Sequence, residues 1–328
     1  MAPQPMPAIP SQSATPQVSF VVPLYNCLAL TQAMLASLRA TMPLGLAWEL
    51  IFVDDNSSDG TPRWLESLPD TNIRALRKSC NQGFASAVNN GVAIARGAIV
   101  VILNNDLVLT GHWLEPMLAV HSRLGHRAGV IGNCQTAARD GSLDHLGIRF
   151  NHKGKPEHIR DRADVALLSR LRGFQPVHAL TGACFLLSRE LWDELGGFDT
   201  RFVNGCEDVD LCLRAGSAGR INAVALRSIV RHHISSSPGR KLMDERNTFL
   251  LTLKWRDTLA ILASRHWCRA YLSREWTHPG EPHHACEAAA ALAYSLHLIP
   301  NPPSVALRGM LRAIELELDR WRQLDLQE

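Results

Sequence analysis

The sequence predicts an α/β protein: a mostly parallel sheet flanked by helices on both faces, followed by a helical C-terminal appendage. Three observations lead there. Continuous β-branched runs alternate with helical stretches between Val18 and Leu103, the pattern of strands buried on both faces. Clusters of turn-forming residues follow the ends of those runs. After about residue 241 the strand signal stops, and Ala- and Leu-rich stretches with Trp255, Trp267, Trp276 and Trp321 take over.

Each element has its reason. Val18–Val22 is β-branched and aromatic and ends at Pro23, which suits a first strand. A helix is expected through Leu30–Leu38. Leu50–Val53 reads as the second strand and runs into Asp54-Asp55-Asn56-Ser57-Ser58-Asp59-Gly60. Thr61 is the expected N-cap there, with Pro62 at the first helical position. Ile73–Leu76 is a short third strand, Phe84–Ala95 an Ala-rich helix closed by Gly97, and Ala98–Leu103 the strongest central strand. Residues 135–178 show no clear period. Thr181–Leu187 then reads as a strand and Arg189–Leu195 as a helix stopped by Gly196-Gly197. Glu207–Ala215 is a helix stopped by Gly216, and Ile221–Val230 is extended.

Composition narrows the class. In 328 residues, 46% are hydrophobic and 20% charged, enough apolar material for one large α/β domain and an appendage. A net charge of +3 without a polybasic stripe gives no support to nucleic-acid binding. The longest apolar run, Ala288 to Ile299, is too short to span a bilayer. Residues 1–17 hold five prolines and no charge, and read as a flexible leader rather than a secretory signal. The division expected is therefore 1–17 leader, 18–240 α/β domain and 241–328 helical extension. The 8 cysteines never form CxxC, which suits reduced thiols in a cytoplasmic protein.

In an open parallel sheet, ligands bind beyond the carboxyl ends of the strands. Three polar clusters meet at that rim: Pro23-Leu24-Tyr25-Asn26, Asp54-Asp55 and Asn104-Asn105-Asp106. Any one alone is ordinary turn chemistry. No GxGxxG, GxxxxGK[ST] or GxSxG is present, so dinucleotide, P-loop and common hydrolase sites are not indicated. An acidic rim can hold phosphate only through a divalent cation.

The motifs taken in order resemble family 2 glycosyltransferases with the GT-A fold, in particular bacterial polysaccharide, O-antigen and rhamnosyltransferase-like enzymes. The likeness runs through Val21-Val22-Pro23-Leu24-Tyr25-Asn26, Val53-Asp54-Asp55-Asn56, Asn81-Gln82-Gly83-Phe84 and Leu103-Asn104-Asn105-Asp106. It continues through Thr181-Gly182-Ala183-Cys184, Gly196-Gly197-Phe198-Asp199 and Glu207-Asp208-Val209-Asp210, and covers roughly residues 18–240. The resemblance implies inverting, metal-dependent transfer from a UDP- or dTDP-sugar to a hydroxyl of a glycan or lipid-linked saccharide acceptor. The setting it implies is the cytoplasm, at the inner face of the membrane.

Roles follow by the same resemblance. Pro23, Tyr25, Asn26, Asn81, Gly83, Asn105, Gly182 and Ala183 would form the donor site. Asp55 would accept the ring N3–H of uracil or thymine, as an acceptor-only carboxylate can. Asp106 would bind Mn²⁺ or Mg²⁺, although Asn stands at 104 where the family often has Asp. His232 or His233 would complete the metal site, and residues 235–241 would close over the diphosphate. Asp208 would be the catalytic base, with Glu207 holding an acceptor hydroxyl. Asp210 and Arg214, at i,i+4, would form a structural pair. Cys184 and Cys206 are expected to pack rather than react, and His278, His283, His284 and Cys286 lack zinc spacing. Two rivals stay open: a sugar nucleotidyltransferase, and a non-catalytic nucleotide-sugar-binding or glycan-binding protein on the same scaffold.

Overall fold

The computed structural model describes residues 15–162, 167–233, 243–277 and 285–325. The first half follows the alternation expected of it: β1 (Val18–Leu24), α1 (Leu28–Thr41), β2 (Trp48–Asp54), α2 (Thr61–Glu66), β3 (Ile73–Arg77), α3 (Phe84–Ile94) and β4 (Ile99–Leu103). These four strands pair in parallel, with β1 between β2 and β4 and β3 outside β2. Thr61 is the first helical residue rather than the cap. Its N–H is taken at 2.9 Å by Asp59 Oδ1, because the Asx side chain two residues back reaches it.

The second half builds the rest of the sheet from β5 (Leu107–Leu109), α4 (Leu114–Leu124), β6 (Ala128–Ala137), β7 (Leu143–His145), β8 (Ile148–Phe150) and β9 (Pro156–His158). It continues with α5 (Leu167–Arg172), β10 (Phe174–Pro176), β11 (Cys184–Ser188), α6 (Arg189–Leu195), α7 (Glu207–Ser217) and β12 (Ile221–His232). The sheet order is β10-β12-β6-β11-β4-β1-β2-β3. β11 runs antiparallel to both neighbours, so β6 and β12 return to the direction of β4 and bring His232 to the edge where β1, β2 and β4 end.

Residues 135–178 carry no visible period because strands of three residues such as β7, β8, β9 and β10 are too short to show one. The strand expected over 181–187 begins only at Cys184, since Thr181–Ala183 leave the ladder for the site. α7 runs through Gly216 to Ser217.

Side chains sort by the two-residue period of the strands. Phe20, Val22, Leu50 and Phe52 pack on one face with α1, α4 and Trp113. Val21, Ile51, Val53 and Ile102 pack on the other with α3, α6 and α7. That second core also takes in Leu251, Leu259 and Ala263 of α8 (Asp244–Thr277) and Met310, Ile314 and Trp321 of α10 (Ser304–Asp325). α8 and α10 therefore share the core of the sheet, while α9 (Ala285–Ser295) packs Ala291 and Tyr294 in a separate cluster with Cys268 of α8 and Ala306 of α10. Among the described residues no helix is long and apolar enough to cross a membrane.

Candidate active site

A cleft of about 690 Å³ opens at the carboxyl edge of the sheet, within the range of small-molecule sites. It is lined by Pro23, Tyr25, Asn26, Asp55, Asn81, Gly83, Asn105, Gly182 and Ala183, and by Asp106, Glu207, Asp208 and His232. Of the residues expected individually in the donor, metal or catalytic sites, all line it except His233.

At the β1–β2 end, the loop after β1 turns through Asn26 (φ 57°) and Cys27 (φ 62°), a left-handed conformation that Asn tolerates better than most residues. Asn26 Oδ1 accepts the Ser58 N–H at 2.8 Å and the Asp59 N–H at 3.3 Å, while its own N–H donates to Ser57 Oγ. Its amide oxygen thus ties the first rim loop to the second. Asp54, fully buried, accepts the Ser57 N–H at 2.9 Å in an Asx turn. Asp55 is the carboxylate that reaches the cleft.

Three donors hold Asp55: Lys78 Nζ at 2.7 Å, the Gln82 N–H shared between both oxygens, and the Gly83 N–H at 2.7 Å. These donors make two contacts to each oxygen, so a ligand N–H would take the place of one of the two contacts of the shared Gln82 N–H. Gly83 sits at φ 84° just before α3, where a side chain would be strained, and this lets the 81–83 backbone fold onto Asp55. Tyr25 stands 54% exposed at the mouth, an aromatic face open to a flat ring.

At the other end, Asp106 follows β4 and is buried, with His232 Nε2 3.2 Å from its Oδ1. His233 has an exposed side chain, and its backbone N–H bonds the Asp106 carbonyl at 3.0 Å. The structure thus brings His232, and not the His233 imidazole, to Asp106. Asn105 Nδ2 donates to Thr31 Oγ1 at 3.0 Å, anchoring the triplet to α1. Residues 235–241, His278, His283 and His284 lie outside the described residues, as does the leader up to residue 14. An oxygen and an imidazole nitrogen on adjacent buried side chains suit Mn²⁺ or Mg²⁺ that draws its other ligands from diphosphate and water.

Asp208 lies in the first turn of α7, where the helix dipole favours the anion. Its Oδ2 accepts the Gly182 N–H at 2.6 Å and its Oδ1 the Val209 N–H at 2.7 Å. A carbon added at Gly182 would lie 3.3 Å from Asp208 Cβ, so the missing side chain lets the backbone come this close. Glu207, buried beside it, accepts the Gly205 N–H at 2.6 Å. Asp210 faces away from the cleft, fully buried. It pairs with Arg214 at 2.9 Å as expected, and also with Lys254 Nζ at 2.7 Å and the Trp255 indole at 2.8 Å.

Cys184 is buried against Asn133, and burial pushes its thiol up to about 12. Cys206 is also pushed up, by burial and then by Asp208 and Glu207. Neither thiol is a nucleophile at neutral pH.

Several residues escaped the sequence reading. Lys78 follows β3 with nothing local to mark it as the partner of Asp55. Asn204 lines the cleft and accepts the Phe84 N–H at 3.1 Å; the Asn-Gly pair before α7 was a turn signal that could have flagged it. Asn247 of α8 clamps the same loop, accepting the Val203 N–H at 3.1 Å and donating to the Val203 carbonyl at 2.8 Å. His145 is buried in β7, and its Nε2 accepts the Thr181 N–H and the Gly147 N–H, each at 3.2 Å. An accepting Nε2 fixes this ring as neutral.

A mixed sheet of this order, with a carboxylate-lined cleft at its edge, defines a glycosyltransferase of the GT-A fold. The chain belongs to glycosyl transferase family 2, whose model matches residues 19–196, more than half its length. It is similar to the N-acetylglucosaminyl-diphospho-decaprenol L-rhamnosyltransferase of Mycobacterium tuberculosis (strain ATCC 25618 / H37Rv), 30% identical over 272 residues that cover 73% of this chain and 83% of that one. It also resembles uncharacterized protein y4gI of Sinorhizobium fredii (30% identity, 69% of this chain) and the O-antigen biosynthesis protein RfbC of Myxococcus xanthus (28%, 75% of this chain). The match takes up only 25% and 19% of those two longer proteins. Among solved structures, GalNAc-T7 with UDP, GalNAc and Mn²⁺ aligns at 14% identity with a TM-score of 0.60, covering 85% of this chain and 55% of that one. A mannosyltransferase of Pyrobaculum calidifontis in complex with GDP-Man and Mn²⁺ aligns at 19% with a TM-score of 0.53, covering 96% and 90%. At these identities the two structures speak for the fold alone.

Proposed function

We propose that the enzyme transfers a sugar, with inversion, from a UDP- or dTDP-sugar to a hydroxyl of a glycan or lipid-linked saccharide acceptor in the assembly of a bacterial surface polysaccharide. The observation that carries this reading is the position of Asp208, a carboxylate at a helix N-terminus facing the same cleft as Asp55 and Asp106. The rhamnosyltransferase and O-antigen relatives support the acceptor class.

In this mechanism Tyr25 stacks on the base, and Asp55 accepts the N3–H of a pyrimidine-dione in place of one of the two contacts that the Gln82 N–H makes with it. Asp106 and His232 would hold the divalent cation, which neutralises charge on the leaving diphosphate. Gly182 and Ala183 present bare backbone to the donor sugar. The acceptor oxygen attacks the anomeric carbon as the carbon–diphosphate oxygen bond breaks, and its proton passes to Asp208. The Gly182 and Val209 N–H groups fix the Asp208 carboxylate during that transfer.

Asp208→Asn keeps the shape and removes proton acceptance. Turnover should fall about 10²–10⁴-fold, the usual range for loss of a general base, while UDP or dTDP affinity stays near wild type. Wild-type turnover in this variant would remove Asp208 from the role. Chelation by EDTA should abolish transfer and added Mn²⁺ or Mg²⁺ restore it; full activity in chelator would assign the diphosphate charge to protein cations instead. UDP or dTDP should raise the melting temperature more than CDP, because the cytosine ring N3 carries no proton to donate to Asp55. An equal response to CDP would refute the base assignment.

A further inference from the structure

One face outside the cleft combines protruding leucines with a single sign of charge. Leu167 and Leu171 of α5 are four residues apart and therefore on one side of the helix. They are 71% and 73% exposed, while Ser169 between them is buried. Burying Ser169 while Leu167 and Leu171 stand in water departs from the ordinary amphipathic pattern.

Arginines surround these leucines. Arg170 and Arg172 flank Leu171 on the helix, and Arg123 of α4 reaches over to donate to the Arg172 carbonyl at 2.9 Å. The Arg123 guanidinium also lies 5.5 Å from the centroid of the Phe174 ring. Arg227 of β12 stands beside Gly173, where the Leu226 N–H bonds the Gly173 carbonyl. Among the described residues, none of these four guanidinium groups makes an ion pair with a carboxylate. A surface of anions would relieve their mutual repulsion. The same strip continues toward the cleft: Arg227 and Arg231 are exposed along β12, which ends at His232. From Arg227 to His232 is five residues of strand, roughly 17 Å.

We infer that this face docks the enzyme on a membrane rich in anionic lipid, with Leu167 and Leu171 entering the headgroup layer and the arginines meeting lipid phosphates. A membrane supplies both an anionic surface and a shallow apolar layer behind it. A nucleic acid or acidic peptide would answer the arginines and leave the leucines in water. The inference deepens the reading of a lipid-linked acceptor given above and rests on it only for its purpose: a lipid-linked acceptor in that same bilayer would be presented beside the cleft.

The test is co-sedimentation of the full chain with phosphatidylglycerol–phosphatidylethanolamine vesicles and with pure phosphatidylcholine vesicles. Binding to the anionic vesicles alone, weakened by salt, is expected. Leu167→Ser with Leu171→Ser, and separately Arg172→Gln with Arg227→Gln, should each lower that binding about tenfold or more. Leu316→Ser, an exposed leucine on α10, should leave it unchanged. No binding to anionic vesicles, equal binding to phosphatidylcholine, or loss in the arginine variant without loss in the leucine variant would overturn the inference. The thermal shift with UDP or dTDP separates the two readings. It should be the same in wild type and both double variants, which also shows that they fold; its absence from the wild type would count against the proposed donor and leave the vesicle result standing.

Discussion

The end of β2 carries Asp54 beside Asp55, and the first turn of α7 carries Asp210 beside Glu207 and Asp208; in each place Asp55 or Asp208 faces the cleft while Asp54 or Asp210 is sealed into the fold. Asp54 is sealed locally: Ser57, three residues on, supplies its hydrogen bond, and Arg77 at 3.6 Å is largely exposed. Asp210 is sealed from a distance, by Lys254 and Trp255 of α8 as well as by Arg214. The first arrangement shapes a loop. The second fastens α7 to the C-terminal helices, at the residue where the α8 backbone departs from helical geometry (Trp255, φ −117°, ψ 19°). Similar sealed carboxylates thus do different mechanical work, decided by how far away their partners lie.

Breaking the distant arrangement should have the largest effect on stability. Asp210→Asn leaves Lys254 and Arg214 facing a buried neutral amide, and loss of one member of a buried ion network costs about 3–5 kcal/mol. Urea denaturation checks this. A variant within about 0.5 kcal/mol of wild type would mean that α7 and α8 are held by apolar packing alone. Assayed at a temperature where it remains folded, the variant should keep turnover within severalfold of wild type, in contrast with Asp208→Asn.

Asp55 sharpens the comparison, because it both orders its loop and faces the ligand. Asp55→Asn strands the buried Lys78 and should cost about 2–4 kcal/mol of stability along with nucleotide affinity. Adding Lys78→Met should recover part of the stability and none of the affinity, read by denaturation and by UDP titration. Recovery of both would make Asp55 a scaffold residue only.

The local pair should respond least. Asp54→Ala removes the acceptor of one backbone N–H and should cost about 1–2 kcal/mol, with nucleotide affinity falling only as far as the Asn26–Ser58 tie loosens. Asp54→Asn, which keeps the acceptor oxygen, should be close to neutral. Equal losses in the two variants would show that charge, and not the turn, is what Asp54 contributes.

Acid sensitivity probes a further sealed side chain. Burial holds the pKa of His145 well below the usual imidazole value, and the neighbouring His158, His232 and Arg160 add to it. The ring is neutral in the fold and takes up a proton more readily when unfolded. Stability should therefore hold above the unfolded value of about 6.5 and decline as pH falls below it, by up to about 1.4 kcal/mol per pH unit. Denaturation at pH 7.5 and 5.5 measures the decline. His145→Gln, which keeps an acceptor for the Thr181 and Gly147 N–H groups, should make it shallower. The lowered Glu49 and Glu245 carboxyls act in a separate window, below about pH 4.5.

What the sequence revealed follows the same division between local and distant. β1, β2 and β4 were legible because fully buried parallel strands are written as unbroken apolar runs, and Asp55, Asp106 and Asp208 because they follow strand or helix boundaries in recognisable order. The choice between His232 and His233 was not legible. Adjacent strand residues point to opposite faces, and only the pairing of β12 with β5 and β6 decides which face meets Asp106. Lys78, His145 and Asn247 were missed for a related reason. Each acts on a backbone or carboxylate brought to it by tertiary folding, and nothing beside it in sequence announces that partner. Residues 135–178 stayed opaque because their strands are shorter than one readable period.

Asn247 has a consequence for how this enzyme could be divided or recombined. The family match ends at residue 196, ahead of Asp208, His232 and the clamp that Asn247 places on Val203. A chain cut or fused near 240, where the motif-bearing part gives way to helices, would keep the cleft-lining residues and lose the hand that holds their loop. It would also bare the apolar face that α8 and α10 cover. Exchange of acceptor preference between relatives by swapping blocks should therefore succeed only when the C-terminal helices travel with the block they brace.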